Sequence, residues 1–420
     1  MESSLHFSKF PKDKLTSSKK LLDAYAKEIL VFKESAHYSR PESALFIAGD
    51  IAYQSNIKKA LRNFKKPQHV VLIGIGGSSL GTEAVYSALS KKGSPSLLTL
   101  DCLDTDALQR FETILKSTKN VQDIAVVVIT KSGTTTETMM NAIKAIEVGV
   151  KYFGDKFEKR VIFVGSKDST FYNVGKERGI LTFSFPEMVK GRYSVFSAVG
   201  IVPLTLLGID VTQLCRGANS FMNSQTMKQT NSYATTLAAH AEEGVHTVNF
   251  FTFNKKLILC GNWYRQLLAE SIGKNVTLSG KVFTHQLLPI VSSAVDLHSM
   301  AQLYLGGYKN IYTHFVWCDE NNSLRLLKSS WLFQHVPFLR GKKFHDALYA
   351  IKEGVIKAYA DQKLSYRYSE IKKCNEYEIG FMFSSLMYEV MCLGKVLDVD
   401  PFNQPSVELY KKHTRKVLGS

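Results

Sequence analysis

The sequence predicts a protein of the α/β class built around parallel sheets. Short apolar runs, typical of strands buried on both faces, alternate with segments of helical periodicity. The connections between them are short, which favours repeated strand–helix–strand units. Two predicted strands end in turns rich in glycine or in serine and threonine, and ligands of parallel sheets bind at such strand ends. Right-handed crossovers should place helices on both faces of each sheet.

The alternation is clearest in the first half of the chain. Residues 1 to about 45 are predicted to be helical and peripheral. The strands predicted after them are 70–75, 97–100, 124–129 and 161–164. The helices predicted between those strands are "TEAVYSALS", "TDALQRFETILKS" and "TTTETMMNAIKAIEVGV".

The second half repeats the alternation less clearly. Its predicted strands are "HTVNFFTF", "LILCG" and "IYTHFVW". Its predicted helices include "NWYRQLLAESIG" and "DLHSMAQLYLGG", and the C-terminal third is predicted to be helical, ending in the basic helix "SVELYKKHTRKV". A chain of 420 residues is long enough for two core-bearing domains. We therefore expect an N-terminal helical segment, a first α/β domain, a second α/β domain and a C-terminal helical arm, at residues 1–45, 46–195, 196–395 and 396–420.

Composition limits the class of protein. The formal net charge of +16 favours an anionic partner, but the lysines are scattered, which argues against a nucleic-acid-binding arm. The six cysteines lie far apart without metal-ligand spacing, as expected of free thiols in a reducing compartment. The N-terminus is too polar for a signal peptide, and the apolar run 195–209 is shorter than the roughly 20 residues that cross a bilayer. We expect a soluble cytoplasmic protein without a membrane partner.

The stretch "ITKSGTTTET" (129–138) follows the predicted strand 124–129 and holds six hydroxyl side chains and one lysine. Hydroxyls together with the backbone N–H groups of the following helix can surround an anion. The nucleotide-binding pattern GxxxxGK[ST] does not occur there, so a phosphate monoester fits better. The alternative is that these side chains only cap the helix, although one cap needs one hydroxyl.

A second turn, "IGIGGSSLG" (73–81), is weak evidence alone, because glycine-rich turns are common in α/β proteins. No acidic residue marks the end of a following strand, so a dinucleotide site is doubtful. Arg192 in "KGRYSVFSAVG" can hold an anion or serve the structure. Glu270 shares a helical face with apolar residues and is either a general base or a solvated glutamate. Local sequence does not distinguish His298 from the other histidines.

Taken in order, these stretches resemble the glucose-6-phosphate isomerase (phosphoglucose isomerase) family in its compact bacterial form. The resemblance covers about residues 70–412 and is carried by the motifs "IGIGGSSLG", "ITKSGTTTET", "GRYSVFSAVG", "AESIGK", "DLHS" and "NQPSVELYKK". It implies two sugar-isomerase (SIS-type) α/β/α domains and a homodimer with a shared active site. It also implies reversible isomerisation of glucose 6-phosphate to fructose 6-phosphate through ring opening and a cis-enediol, with no cofactor and no metal.

The resemblance assigns roles to individual residues. Those it places at the sugar and its phosphate are Gly77, Ser78, Thr130, Lys131, Ser132, Thr135 and Gln404. Those it makes catalytic are Arg192, which stabilises the intermediate, Glu270, which moves the proton between C2 and C1, and the ring-opening pair His298 and Lys411, of which the histidine comes from the other subunit of the family's dimer.

The sequence departs from the family pattern at several positions. Thr130 stands where serine is frequent, Lys190 where glycine is frequent, and Asn403 where aspartate is frequent, and the glycine often found ahead of the histidine is missing in "VSSAVDLHS". All charged catalytic positions are filled. The alternatives are an isomerase that also accepts mannose 6-phosphate, a non-catalytic sugar-phosphate sensor, and a scaffold whose positive charge predicts salt-sensitive nucleic-acid binding.

Overall fold

Two five-stranded sheets organise the chain. The computed structural model describes residues 2–6, 12–35, 38–62, 64, 66–307, 309–319 and 324–419. The strands are β1 (Glu2–His6), β2 (His69–Ile73), β3 (Ser96–Leu100), β4 (Ile124–Ile129), β5 (Val161–Gly165), β6 (Leu181–Ser184), β7 (Thr247–Thr252), β8 (Leu288–Ser293), β9 (Ile311–Cys318) and β10 (Tyr366–Ile371). The helices are α1 (Lys12–Glu34), α2 (Ile51–Leu61), α3 (Leu80–Leu89), α4 (Thr105–Ser117), α5 (Thr136–Phe153), α6 (Thr170–Glu177), α7 (Ala198–Leu206), α8 (Val211–Ser220), α9 (Ser224–Glu242), α10 (Ile258–Ile272), α11 (Ala301–Gly306), α12 (Phe344–Asp361), α13 (Glu376–Val396) and α14 (Val407–Val417).

The first sheet has the strand order β3-β2-β4-β5-β6, and every neighbouring pair is parallel. The chain runs from β2 to β3 on one side and then crosses back to β4 on the other. The order therefore reverses between β2 and β4, where a crevice opens beyond the carboxyl ends of the strands. This topology places the segments after Ile73 and after Ile129 side by side.

The second sheet has the order β1-β10-β9-β7-β8. Its four later strands are parallel and repeat the order of the first sheet, with β7 between β8 and β9 as β2 lies between β3 and β4. Strand β1 adds an antiparallel edge by pairing with β10. The two halves of the chain are thus two copies of one winding scheme, extended at different edges.

One large apolar core covers a face of each sheet. In β4 the side chains of Ala125, Val127 and Ile129 point into it, and Phe250 of β7 and Val316 of β9 enter it from the second sheet. The alternate residues of β4 belong to a separate core on the outer face of the first sheet. A third, aromatic-rich core covers the outer face of the second sheet. Because β4 is buried on both faces, its sequence is continuously apolar.

The α/β prediction with parallel sheets is confirmed. The strands predicted at 70–75, 97–100, 124–129 and 161–164 match β2, β3, β4 and β5 within a few residues. In the second half, "HTVNFFTF" and "IYTHFVW" contain β7 and β9. Strands β2–β6 lie within the expected first domain and β7–β10 within the second, while the domain boundaries themselves stay a prediction.

Several predictions for individual elements were wrong. "LILCG" is not a strand but runs into α10, a helix buried on most sides, whose apolar run resembles that of a buried strand. "DLHSMAQLYLGG" is not one helix but a 3₁₀ turn, Ala294–His298, followed by the short α11. Strands β6, β8 and β10 were not predicted. The N-terminal segment, predicted to be helical, contains α1 but also the strand β1.

Helix α13 is the one described helix long and apolar enough to cross a membrane by length and composition. In its most apolar window 83% of the residues are buried inside the protein. It crosses α8 where glycines bring the two backbones together. A Cβ atom on Gly380 would lie 1.9 Å from the carbonyl oxygen of Leu214, and one on Gly217 would lie 1.8 Å from that of Tyr377.

This close crossing predicts that Gly380→Ala lowers the melting temperature by several degrees, because the methyl group would push α13 away from α8 at a cost of about 1–3 kcal/mol. Gly354→Ala is the matched control. Gly354 also lies within a helix, a Cβ there meets nothing within 4 Å, and alanine should stabilise that helix by roughly 1 kcal/mol. Thermal unfolding of both variants is the measurement, and equal melting temperatures would contradict the packing described.

Candidate active site

Two loops meet at the point where the strand order of the first sheet reverses. The 3₁₀ turn Gly76–Ser78 follows β2, and residues 130–135 link β4 to α5. Strands β2 and β4 are parallel neighbours, with Ile73 opposite Val128, so both loops leave the same edge of the sheet. The glycine-rich and hydroxyl-rich motifs, far apart in sequence, therefore lie beside each other in space.

Three of the four hydroxyl groups in the loop 130–135 make hydrogen bonds within the loop. The Oγ1 of the buried Thr130 accepts a hydrogen bond from the N–H of Gly133 at 3.2 Å, and Ser132 Oγ lies 2.7 Å from Thr134 Oγ1. Thr135 occupies the N-cap of α5 without a side-chain capping bond. Gly133 has φ +74, and a Cβ there would lie 2.4 Å from Phe171 Cβ. The loop is thus a fixed structure whose hydroxyls do not cap the helix.

Lys131 extends from this loop toward the segment before Arg192. Its Nζ donates a hydrogen bond to the carbonyl oxygen of Glu187 at 2.7 Å. Burial lowers the pKa of Lys131, and the nearby positive charge of Lys190 lowers it further. Two lysines therefore lie close together beside the hydroxyl-rich loop, and the negative charge of Glu187 acts on Lys131 in the opposite direction.

The glycine-rich turn packs against the backbone that carries Arg192. A Cβ on Gly77 would lie only 2.2 Å from the carbonyl carbon of Gly191. Ser194 Oγ also donates to the carbonyl oxygen of Gly77, at 3.3 Å. Ser78, at the end of the turn, is half-buried. Glycine is required at position 77 because any side chain would displace the segment 191–193.

Arg192 is buried, and all three nitrogens of its guanidinium group make hydrogen bonds. Its Nε donates to Ser271 Oγ at 2.8 Å, and its Nη1 donates to Gln404 Oε1 at 2.8 Å. Its Nη2 donates to the carbonyl oxygens of Pro401 and Asn403 at 2.6 and 3.1 Å. A guanidinium group held from three sides cannot rotate, so its positive charge is fixed in place.

Glu270 lies beside this fixed charge, near the C-terminal end of α10. Its Oε2 accepts from Arg192 Nη1 at 3.3 Å, and its Oε1 accepts from Gln266 Nε2 at 2.9 Å. About one third of its side chain, 31%, is exposed. It lines a cavity of about 610 Å³, together with Lys274 and Gln404. The carboxylate is therefore oriented from two sides and remains open to a ligand.

Helix α14 closes the site from the C-terminal end. A cavity of about 320 Å³ lies between α14 and the hydroxyl-rich loop, and its lining includes Ser132, Thr135 and Lys411. Lys411 Nζ donates to Glu408 Oε1 at 2.8 Å and is partly exposed. The structure thus brings Lys411 next to the predicted phosphate loop, and Gln404 next to Arg192.

His298 does not join this group within one chain. It ends the 3₁₀ turn Ala294–His298 and is exposed. Asp296 braces the turn, because its Oδ2 accepts from the N–H of Ser293 at 2.7 Å. No hydrogen bond or ion pair of the described residues links His298 to Glu270 or Arg192.

Sequence reasoning missed three residues of the site: Gln266, Ser271 and Lys274. The first and last lie four residues before and after Glu270, so their i, i+4 spacing was a usable signal. Two other contacts of Arg192 are backbone carbonyls, which no sequence pattern reveals. Within the described ranges, no group of three or more His, Cys, Asp or Glu side chains could hold a metal ion.

Comparison with known proteins identifies what this arrangement is similar to. The family model of phosphoglucose isomerase matches residues 57–420. A glucose-6-phosphate isomerase of Carboxydothermus hydrogenoformans is 28% identical over 384 residues, which cover 87% of this chain and 82% of the relative. A crystal structure of a hypothetical protein from Thermus thermophilus covers all of both chains with a TM-score of 0.87 at 22% identity. A glucose-6-phosphate isomerase from Chlamydia trachomatis has the same fold, with a TM-score of 0.79 at 19% identity, covering 99% of this chain and 88% of that one.

Proposed function

Because the chain belongs to the phosphoglucose isomerase family, we propose that it interconverts glucose 6-phosphate and fructose 6-phosphate. The observation that carries the proposal is the pairing of a buried, immobilised Arg192 with a partly open Glu270 at 3.3 Å. An aldose–ketose isomerase needs one group that moves a proton between adjacent carbons and one that holds the charge this creates. The site offers both groups beside a substrate-sized cavity.

Glu270 serves as the base. In the open-chain aldose it takes the proton from C2, the C–H electrons form the C1–C2 double bond, and the oxygen on C1 gains negative charge. Arg192 stabilises that oxygen, since its positive charge is already in place before the reaction. The proton of the C2 hydroxyl passes to the oxygen on C1, the protonated Glu270 delivers its proton to C1, and the oxygen on C2 becomes the carbonyl of the ketose. One carboxylate thus completes the transfer without a net change in charge.

The phosphate group binds at the hydroxyl-rich loop. Ser132 and Thr135 face the cavity shared with α14, and Thr130 and Lys131 shape the loop and its charge. Gly77 and Ser78 form the neighbouring wall of the crevice, and binding there orients the reacting carbons through contacts remote from them. Lys411, which lines the same cavity, is placed to exchange the proton of ring opening.

The second ring-opening residue, His298, requires another subunit, and we propose a homodimer. His298 is exposed beside Val295, which is 76% exposed. Further along the chain a segment exposes several large apolar side chains, as surfaces between subunits do. These are Leu324, Leu327, Trp331, Leu332, Phe338 and Phe344.

The six cysteines, all within the described ranges, form no disulfide, which agrees with a reducing compartment, and we assign the protein to the cytoplasm.

The assigned base predicts that Glu270→Gln lowers kcat for fructose 6-phosphate by at least about 10²-fold, because an amide cannot accept the C2 proton. The assay couples glucose 6-phosphate formation to NADPH production in the presence of EDTA. Glu243→Gln, which changes an exposed glutamate at the end of α9, is the control and should leave the rate unchanged. Near-normal turnover by Glu270→Gln would exclude this residue as the base.

The phosphate assignment predicts that Ser132→Ala combined with Thr135→Ala raises KM by about tenfold or more with a smaller change in kcat. In the wild-type protein these two hydroxyls bind the phosphate equally tightly in the substrate and in the transition state, so their loss weakens binding more than it slows the reaction. The control is Thr113→Ala combined with Ser117→Ala, whose hydroxyls bond only to carbonyls of α4. Steady-state kinetics decide, and an unchanged KM in the first double variant would refute the phosphate loop.

The dimer predicts that Leu327→Asp combined with Phe338→Asp yields monomers of much reduced activity, because charges would be buried at the interface and His298 would be withdrawn from the site. Sedimentation velocity and turnover should change together. Val31→Asp combined with Ile51→Asp alters equally exposed positions on α1 and α2 and should change neither. A fully active wild-type monomer would overturn the proposal.

A further inference from the structure

Lys274 makes two contacts that the proposed reaction does not use. It follows Gly273, the C-cap of α10. Its Nζ donates to the carbonyl oxygen of Glu270 at 2.7 Å and to that of Asn403 at 2.7 Å. The first carbonyl belongs to the last turn of α10, where carbonyls lack partners within the helix. One ammonium group therefore joins the end of α10 to the segment before α14.

The Asn403 carbonyl is a shared acceptor. It also accepts from Arg192 Nη2 at 3.1 Å, so two positive charges converge on one oxygen atom. Gln404, the next residue, bonds to Arg192 through its side chain. The described side chains of α14 include no buried residue, so packing alone holds that helix weakly. The position of α14, and of Lys411 on it, therefore depends on how firmly the segment 401–404 is held.

The surroundings of Lys274 make its charge sensitive to pH. Burial, and after it the positive charge of Arg192 on the 191–193 turn, lower the pKa of Lys274 to about 8. Asp400 on the facing segment and Glu270 on α10 act in the opposite direction. The ammonium form thus predominates below pH 8 and is lost as the pH rises through 8, far below the ordinary range for lysine.

We propose that Lys274 is a positioning residue for the isomerisation: its ammonium group ties the end of α10, which carries the base Glu270, to the segment that places Gln404 and α14. The proposal rests on the proposed function and adds to it. A neutral amine donates weaker hydrogen bonds than an ammonium group does. Loss of the proton therefore loosens α14 and withdraws Lys411 from the phosphate loop, so the rate should fall on the alkaline side.

The test compares Lys274→Met and Lys274→Arg with the wild-type full-length protein, and with Lys281→Met, an exposed control that is separate from the two Lys274 contacts. The kcat and KM for fructose 6-phosphate are measured from about pH 6.5 to 9.5, a range that brackets the lowered lysine pKa. Lys274→Met should lower kcat by about 10²-fold, as expected when reacting groups are misplaced by about 1 Å. Lys274→Arg should recover most of that loss and move the alkaline limb from near pH 8 to a higher pH, because arginine stays charged.

Hydrogen exchange of residues 407–417 gives a second readout that does not depend on turnover. Lys274→Met should speed exchange in α14 and leave exchange in α4 unchanged. Wild-type kcat in Lys274→Met, an alkaline limb that stays near pH 8 in Lys274→Arg, or unchanged exchange in α14 would each overturn the proposal. A wild-type protein that is inactive at every pH would instead refute the proposed function, and the exchange measurement would still decide the role of Lys274.

Discussion

The buried guanidinium group of Arg192 is the interaction on which the rest of the site depends. It joins three parts of the chain that are distant in sequence: the 191–193 turn that carries it, the end of α10, and the segment 401–404. A buried charge is tolerable only when its donors are satisfied, and each guanidinium nitrogen here has an acceptor. The requirement to satisfy this charge fixes Glu270 and Gln404 beside it. The same contacts therefore stabilise the buried cation and position the side chains of the site.

The two halves of the chain share one winding order but contribute differently. The first sheet supplies the crevice, because both motif loops leave the strand ends where its order reverses. The second half supplies α10 and the segment before α14, which bring the carboxylate and the amide to that crevice. At its own reversal point, between β7 and β9, the sequences that follow the two strands, "FNKK" and "DENNS", contain no glycine and only one hydroxyl residue. The repeated architecture therefore carries one candidate site, and both halves of the chain contribute residues to it.

Sequence alone predicted the parts of the fold and site that local patterns encode. The apolar run of β4 predicted a strand correctly, because parallel strands are buried on both faces, while the phosphate loop predicted from the hydroxyls after it stays a prediction. Strand β10 was not predicted, because the polar and charged residues of its sequence "YRYSEI" are typical of a segment exposed to solvent. Arg367 is in fact buried and paired with Glu389 of α13, a contact between distant segments. Strand β8 contains Pro289, which an edge strand accommodates. The family resemblance, rather than local pattern, selected His298 and Lys411.

Two of the departures from the family pattern, Asn403 and Lys190, lie at the candidate site, and their contacts show what each changes. Asn403 stands where aspartate is frequent, yet its contribution to Arg192 and Lys274 is a backbone carbonyl, which the side chain does not alter. The substitution therefore removes a negative charge from a site already held by main-chain oxygen atoms. Lys190 shifts the charge in the same direction, since it adds a positive charge near Lys131. Both changes therefore make their surroundings more positive, Asn403 beside Arg192 and Lys190 beside the hydroxyl-rich loop, and a more positive site attracts anionic ligands more strongly.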